Sequence, residues 1–233
     1  SSKKIFRITC PSADLINQIK NQKIFQLQKI YFLPDPVLNI KNFVKKKWEP
    51  IEEYDTKNKY FISVGRLTKQ KNFDYLINEF KKFKDKNPNY DLLIFGEGEL
   101  KKKLLKKIKE NNLQDTVFLM GYSNNVYKFM KNAEAFILSS LWEDPGFVII
   151  EAAMCNLFVI SSNCKNGPVE FLNSGKGGIL FESNKENSLS NALNNYLKIE
   201  NRFKRKLFAK KKSHIYTKFK HHLMLHKILK NEN

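Results

Sequence analysis

Two glutamates, Glu143 and Glu151, stand on either side of a Pro-Gly turn in Ser140-Leu141-Trp142-Glu143-Asp144-Pro145-Gly146-Phe147-Val148-Ile149-Ile150-Glu151. The apolar run after the turn predicts a largely buried helix near residues 146–155. A helix N-terminus carries about half a positive charge and unpaired N–H groups, which suit a phosphate. Carboxylates flanking such an anion site can take the hydroxyl groups of sugars joined to that phosphate. That is a way to hold a nucleotide sugar. Their spacing is a little over two helical turns, so Glu151 returns to the rim only if Glu143 lies on the preceding loop. Pro145 agrees, being tolerated in a first helical turn and opposing helix before it. A carboxylate in a buried helix needs polar partners, and a ribose diol would supply them. This reading outweighs the plainer one, a structural acid and a helix-face acid.

Cations occur at a second place. In Ser63-Val64-Gly65-Arg66-Leu67-Thr68-Lys69-Gln70-Lys71-Asn72-Phe73, Gly65 frees the backbone to turn. Arg66 then projects a planar fork suited to phosphate oxygens. Lys71 follows at the start of a predicted helix, where a cation opposes the dipole unless an anion is near. On spacing alone, ordinary surface basicity in a lysine-rich chain explains the pair equally well. Phe95-Gly96-Glu97-Gly98 is a tight strand–helix turn and lacks the third glycine of a dinucleotide fingerprint.

The elements that position these groups alternate regularly. Strands are predicted at Tyr60–Val64, Asp91–Phe95, Val117–Met120, Ala135–Leu138, Phe158–Ser161 and Gly178–Phe181. Helices are predicted near 73–86, 98–111, 124–132, 146–155, 167–173 and 186–199. Such alternation gives right-handed crossovers: an α/β fold with a Rossmann-like parallel sheet of about six strands and helices on both faces. Ligands of such sheets sit beyond the strand C-terminal ends, where Gly65-Arg66, Gly96-Glu97, Tyr122-Ser123 and Glu143 converge. Residues 56–200 form this unit. Residues 1–55 do not fit the repeat: Ser12 caps a helix through Lys20, a strand fits Lys29–Leu33, Pro34-Asp35-Pro36 breaks the chain, and Asn39–Asp55 reads as a connector without periodicity. Residues 201–233 hold 11 Lys/Arg against one Glu and read as basic C-terminal helices. Their apolar sides pack on the protein or, as the weaker alternative, meet an anionic membrane.

Composition bounds the class. Of 233 residues, 42 are basic and 23 acidic, a net charge of +19 that favours anionic partners; a lysine-biased composition accounts for it equally well. No nucleic-acid-binding motif appears. Cys10, Cys155 and Cys164 form no paired framework, which points to reduced thiols in the cytoplasm. No apolar run approaches the roughly 18 residues that span a bilayer, and Ile5-Phe6-Arg7-Ile8 is too short for a secretory signal. The histidines His214, His221, His222 and His226 make no metal set with carboxylates.

Read in order, Val64-Gly65-Arg66-Leu67, Gln70-Lys71-Asn72-Phe73, Gly96-Glu97-Gly98, Phe118-Leu119-Met120-Gly121, the two-glutamate segment and Gly167-Pro168-Val169-Glu170 resemble the donor-binding half of family 4 retaining glycosyltransferases. The likeness covers about residues 60–182. It implies the second domain of a GT-B fold, with residues 1–55 matching only the end of the acceptor domain and most of that domain missing. It further implies that Arg66 and Lys71 neutralise the donor diphosphate, Glu143 contacts the transferred sugar and Glu151 binds ribose. The N–H groups of Gly146 and Phe147 would meet phosphate, and Tyr122-Ser123 would lie where the base is read. Asp144-Pro145-Gly146 departs from the family's usual Gly-Phe-Gly, and Pro145 has no N–H to offer. The activity implied is metal-free transfer with retention from a nucleotide sugar, nearest to uridine-linked donors of bacterial surface-polysaccharide enzymes. The acceptor would be a glycan or a lipid-linked sugar at the inner face of the membrane. A donor-binding module without turnover of its own is the alternative.

Overall fold

The computed structural model describes residues 7–23, 29–55 and 58–230. Ile5 and Phe6 lie outside these residues. The first unit is β1 (Arg7–Cys10), α1 (Ala13–Asn21) and β2 (Lys29–Phe32), with β1 and β2 pairing in parallel from Arg7 opposite Lys29 to Cys10 opposite Phe32. Ser12 caps α1, its Oγ accepting from the Leu15 N–H at 3.1 Å. The helix from Ser12 and the strand at 29–33 follow expectation; β1 was not foreseen.

The connector reading of residues 39–55 is corrected. It contains α2 (Ile40–Lys46), whose N-cap Asn39 accepts from the Asn42 N–H at 3.3 Å. Only Phe43 of α2 is buried, while Ile40 and Val44 face outward. The lysines at 45–47 hide a short helix that one buried ring anchors.

The main unit runs β3 (Lys59–Val64), α3 (Phe73–Lys84), β4 (Tyr90–Phe95), α4 (Lys101–Glu110), β5 (Val117–Gly121), α5 (Tyr127–Asn132), β6 (Ala135–Leu138), α6 (Phe147–Met154), β7 (Phe158–Ser162), α7 (Pro168–Phe171), β8 (Gly178–Phe181) and α8 (Ser188–Lys198). The six strands pair in parallel in the order β5-β4-β3-β6-β7-β8. The chain starts in the middle with β3, builds outward to β5, then returns to β6 and builds the other way. The reversal between β3 and β6 opens a crevice at their C-terminal ends, the usual ligand position in such sheets.

Alternation along each strand splits the core in two. Phe61 of β3 faces α3, α4 and α8, packing with Phe80, Phe83 and Tyr196, whereas Tyr60 and Ile62 face α5 and α6. Leu92, Ile94 and Ile137 join the first layer, and Leu93, Phe136 and Val159 the second. Such runs, buried on both sides, are why these strands read as continuous apolar segments.

After α8 come α9 (Arg202–Ser213) and α10 (Lys218–Lys230). α9 packs on α6, burying Ala209. α10 returns to the first unit: Leu38 bridges Thr217, the Arg7 guanidinium donates to the Leu229 carbonyl at 3.2 Å, and His221 Nδ1 lies 2.8 Å from the Pro34 carbonyl. Phe219, Leu223 and Leu229 stay exposed among lysines. Among the described residues no helix is long and apolar enough to cross a membrane.

Candidate functional site

The tips of β3, β4 and β5 are drawn together by backbone bonds: Gly65 N–H donates to the Phe95 carbonyl at 2.9 Å, and Gly96 N–H to the Gly121 carbonyl at 2.8 Å. A Cβ on Gly96 would lie 1.9 Å from the Gly65 carbonyl oxygen, and its φ is +136°. Only glycine permits this approach. The Gly96-Glu97-Gly98 segment is therefore a structural turn at the floor of the site, as its two-glycine pattern suggested.

Beyond these tips lies a cavity of about 560 Å³. Val64, Gly65 and Phe95 floor it, and Arg66, Tyr122, Ser123, Tyr127 and Glu151 line its sides. Arg66 is exposed, and among the described residues no carboxylate pairs with it. Tyr122 is 79% exposed, a large ring held out at the end of β5. An unpaired guanidinium beside an exposed aromatic ring suits a ligand with an anionic part and a flat part.

Lys71 and Glu143 lie apart from that lining. Lys71 Nζ sits 2.6 Å from Glu143 Oε1, and the two side chains are only 14% and 5% exposed. Lys71 is thus charge-balanced by Glu143, and of the two cations Arg66 lines the cavity. The Ser140 hydroxyl also donates to Glu143 Oε1.

Several bonds hold this pair in place. Ser139 Oγ donates to the Lys71 carbonyl at 2.7 Å, Leu141 N–H to the Gln70 carbonyl at 2.8 Å, and Gln70 Nε2 to the Trp142 carbonyl at 2.9 Å. The loop after β3 and the loop after β6 are therefore one fastened unit, bridging the two halves of the sheet.

Glu143 does lie on the loop preceding α6, as its spacing from Glu151 required. Gly146 is the N-cap of α6 at φ +82°, and it has no side chain to satisfy the first-turn N–H groups. Glu143 packs against this turn, since a Cβ on Gly146 would lie 3.4 Å from Glu143 Cγ. Phe147, the first residue of the helix, is 40% exposed. Gly167 lets the next loop press on this turn: its Cβ would fall 2.0 Å from the Pro145 carbonyl oxygen. Pro145 itself precedes the helix and does not stand in its first turn. The result is an uncapped helix end with an ammonium–carboxylate pair beside it.

Glu151, about one turn further along α6, is half-buried and accepts a 2.6 Å hydrogen bond from the Tyr127 hydroxyl. Burial pushes its carboxyl up from the usual range, with the Tyr127 bond opposing. Burial and the adjacent Glu151 in turn push the Tyr127 phenol up. Residues Tyr127 and Ser140, the partners of the two glutamates, were not foreseen. Tyr127 and Glu151 are 24 residues apart, with no local spacing to reveal them, whereas Ser140 stands three residues before Glu143, a local signal that was open to reading. Glu170, the last residue of the Gly167-Pro168-Val169-Glu170 segment, serves elsewhere: its carboxylate accepts from the N–H groups of Ala13 and Asp14 at 3.2 and 3.4 Å, capping α1. Among the described residues no group of three or more His, Cys, Asp or Glu could hold a metal ion.

The family description Glycosyl transferases group 1 matches residues 44–214, most of the chain and all of the site residues named above. The chain belongs to this family. A glycosyltransferase of Methanocaldococcus jannaschii, itself uncharacterized, is 49% identical over 112 residues, covering 48% of this chain and 28% of that protein. The N-acetylgalactosamine-N,N'-diacetylbacillosaminyl-diphospho-undecaprenol 4-alpha-N-acetylgalactosaminyltransferase of Campylobacter jejuni is 38% identical over 147 residues, covering 63% of this chain and 40% of that one. Among solved structures, a mutant of Staphylococcus aureus TarM in complex with Fondaparinux, alpha-GlcNAc-glycerol and UDP superposes with a TM-score of 0.76 at 24% identity, covering 98% of this chain and 44% of that one. The structural neighbours are GT-B glycosyltransferases, so the group 1 assignment and the six-stranded sheet agree. The chain spans less than half the length of these relatives.

Proposed function

We propose that this group 1 chain is the donor-binding half of a retaining, family 4 type glycosyltransferase. Its ligand is a nucleoside diphosphate sugar, most readily a uridine-linked one. The observation that carries the proposal is the arrangement at the sheet's reversal point. There Arg66, without a carboxylate partner among the described residues, and Glu151 line one cavity, while the uncapped N-terminus of α6 and the buried Lys71–Glu143 pair stand together outside that lining, on the loops that follow β3 and β6.

The chemistry follows from charge. Transfer leaves a diphosphate, so donors aimed at it stabilise the transition state more than the ground state. Arg66 supplies a bidentate fork and α6 its free N–H groups at Gly146 and Phe147. Lys71 supplies an ammonium once the phosphate shares it with Glu143. Glu143, released in part, is left to accept from a hydroxyl of the transferred sugar. Glu151 accepts from the ribose diol, with Tyr127 holding its other side, and Tyr122-Ser123 border the base. Two cations and a helix dipole supply the charge that a divalent ion otherwise brings, so the reaction proposed needs no metal. The acceptor hydroxyl belongs to a glycan or lipid-linked sugar, and the enzyme works at the cytoplasmic face of a membrane. The undecaprenol-linked substrate named for the C. jejuni relative and the UDP bound to TarM support this reading.

Because the chain covers 28% and 40% of its two relatives' lengths, a module that binds donor without transferring it is the second reading. Calorimetric titration of the chain with UDP, GDP and ADP, with and without Mg²⁺, tests the first: binding of one nucleotide independent of Mg²⁺ is expected. Sugar release or transfer from the bound donor separates the two readings.

A further inference from the structure

The cavity has a wall that lies outside the sheet unit. Asn39, Asn42 and Lys46 line it together with Arg66, Tyr122 and Glu151. All three belong to α2 or its cap, and their spacing puts them on one helix face. Asn39 and Asn42 precede the span 44–214 that the group 1 description matches, so nothing in that match gives them a part in binding.

α2 is fastened to the pocket and not merely near it. Lys46 Nζ donates to the Asn124 carbonyl at 2.7 Å, and Asn125 Nδ2 donates to the Lys46 carbonyl at 2.9 Å and to Glu49 Oε2 at 2.7 Å. These bonds join α2 to the loop that follows β5 and carries Tyr122 and Ser123. Phe43 adds an edge-on contact with Tyr127, ring centres 5.4 Å apart, and Tyr127 holds Glu151. The helix, the loop and the ribose-side carboxylate therefore form one block.

Lys46 is spent on Asn124 and the Asn39 oxygen on capping α2. Asn42 is different. It is exposed, and among the described residues no hydrogen bond uses its side-chain amide. An amide offers both a donor and an acceptor, the pair needed to read the edge of a heterocyclic base.

We propose that Asn42 on α2 reads the base of the donor nucleotide, so that the helix before the matched family span sets nucleotide preference. This rests on the donor-site reading above: with the diphosphate at Arg66 and α6 and the ribose at Glu151, the base extends between Tyr122 and α2. The face of the base lies on the Tyr122 ring, and its polar edge meets the Asn42 amide. A base lacking the matching edge leaves that amide desolvated and unpaired, which is what discriminates.

The test is calorimetric titration of the 233-residue chain with UDP, GDP, ADP and inorganic pyrophosphate. It is run for the wild type, Asn42→Leu, Asn42→Asp and the control Lys45→Ala, which carries its charge on α2 away from the cavity lining. The wild type is expected to rank the three nucleotides. Asn42→Leu weakens the favoured one by about tenfold, the effect of one lost polar pair, and brings the three together. Asn42→Asp, which has no N–H, reorders them, while pyrophosphate binding and the Lys45→Ala ranking stay as in the wild type. An unchanged ranking in both Asn42 variants, equal weakening of all three nucleotides, or a wild type that does not rank them overturns the inference while leaving the donor site standing. A wild type that binds none of the three refutes the donor site itself, and this inference with it.

Discussion

Replacing Lys71 with methionine isolates the ammonium–carboxylate pair, because methionine keeps the aliphatic stem that packs over Gly65. The Lys71 Cδ and Cε lie 3.0 Å from where a Gly65 Cβ would be. The change leaves Glu143, 5% exposed, with only Ser140 to balance its charge. Removing one partner of a buried ion pair costs about 3–5 kcal/mol. The Ser140 hydroxyl stays, so the lower end, about 3 kcal/mol, is expected. At roughly 2–4 °C per kcal/mol for a chain of this length, the unfolding midpoint falls by roughly 6–12 °C. Glu143→Gln should cost less, since the Lys71 ammonium is 14% exposed and can turn to water. The double variant, with no buried charge, should recover much of the K71M loss, giving a coupling of about 2 kcal/mol. Thermal unfolding of the four proteins at neutral pH measures this. A K71M midpoint within about 2 °C of wild type, the change expected from about 0.5–1 kcal/mol, or additive losses in the double variant, would refute the pair as a structural unit. Saturating UDP should raise the wild-type midpoint and raise that of K71M less, because the ammonium it shares is gone.

Three further outcomes follow from the same geometry. Burial raises the Glu151 carboxyl above its unfolded value, so the folded state prefers the protonated form. That stability is present below the unfolded pKa, about 4.3, and is lost as pH rises through the folded value. Glu151→Gln should therefore match the wild type near pH 4 and melt higher at pH 7, while binding donor more weakly; parallel melting curves across that range would contradict it. Phe61→Ala, which empties the ring position among Phe80, Phe83 and Tyr196, should cost about 3–5 kcal/mol in urea unfolding. A loss under about 1 kcal/mol would mean that the layer collapses around the gap. The exposed Phe219, Leu223 and Leu229 among lysines predict binding to phosphatidylserine vesicles that Phe219→Ser weakens and salt abolishes; binding equal to that on neutral vesicles would refute it.

The sheet was open to sequence reading because each of its six strands is a short apolar run ended by glycine or a polar residue, and α3, α4 and α8 have clear amphipathic spacing. β1 was missed because Arg7–Cys10 is four residues long and only partly apolar. α2 was missed because lysines outnumber its apolar positions, although Ile40, Phe43 and Val44 carry helical spacing. At the site, residue types and spacing pointed to Glu143 and Glu151, and the resemblance added Arg66 and Lys71. Their pairing did not show. Lys71 and Glu143 are 72 residues apart and meet only because β3 and β6 become neighbours when the sheet order reverses. The position of Glu143 on the loop before α6 followed from its spacing to Glu151, a local rule, which is why that part of the reading agrees with the structure. Asn42 was invisible because its importance depends on which loop α2 packs against.

The cavity lined by Arg66, Tyr122 and Glu151 is proposed to receive a nucleoside diphosphate. It is tested most directly by titrating UDP into wild type and Arg66→Ala under identical salt. Arg66 is exposed and unpaired among the described residues, so its removal should leave the melting midpoint nearly unchanged. The same change should weaken UDP binding at least tenfold, a charge-assisted bidentate contact being worth about 1.5–3 kcal/mol. Equal UDP affinity in the two proteins, with both folded, would contradict the account.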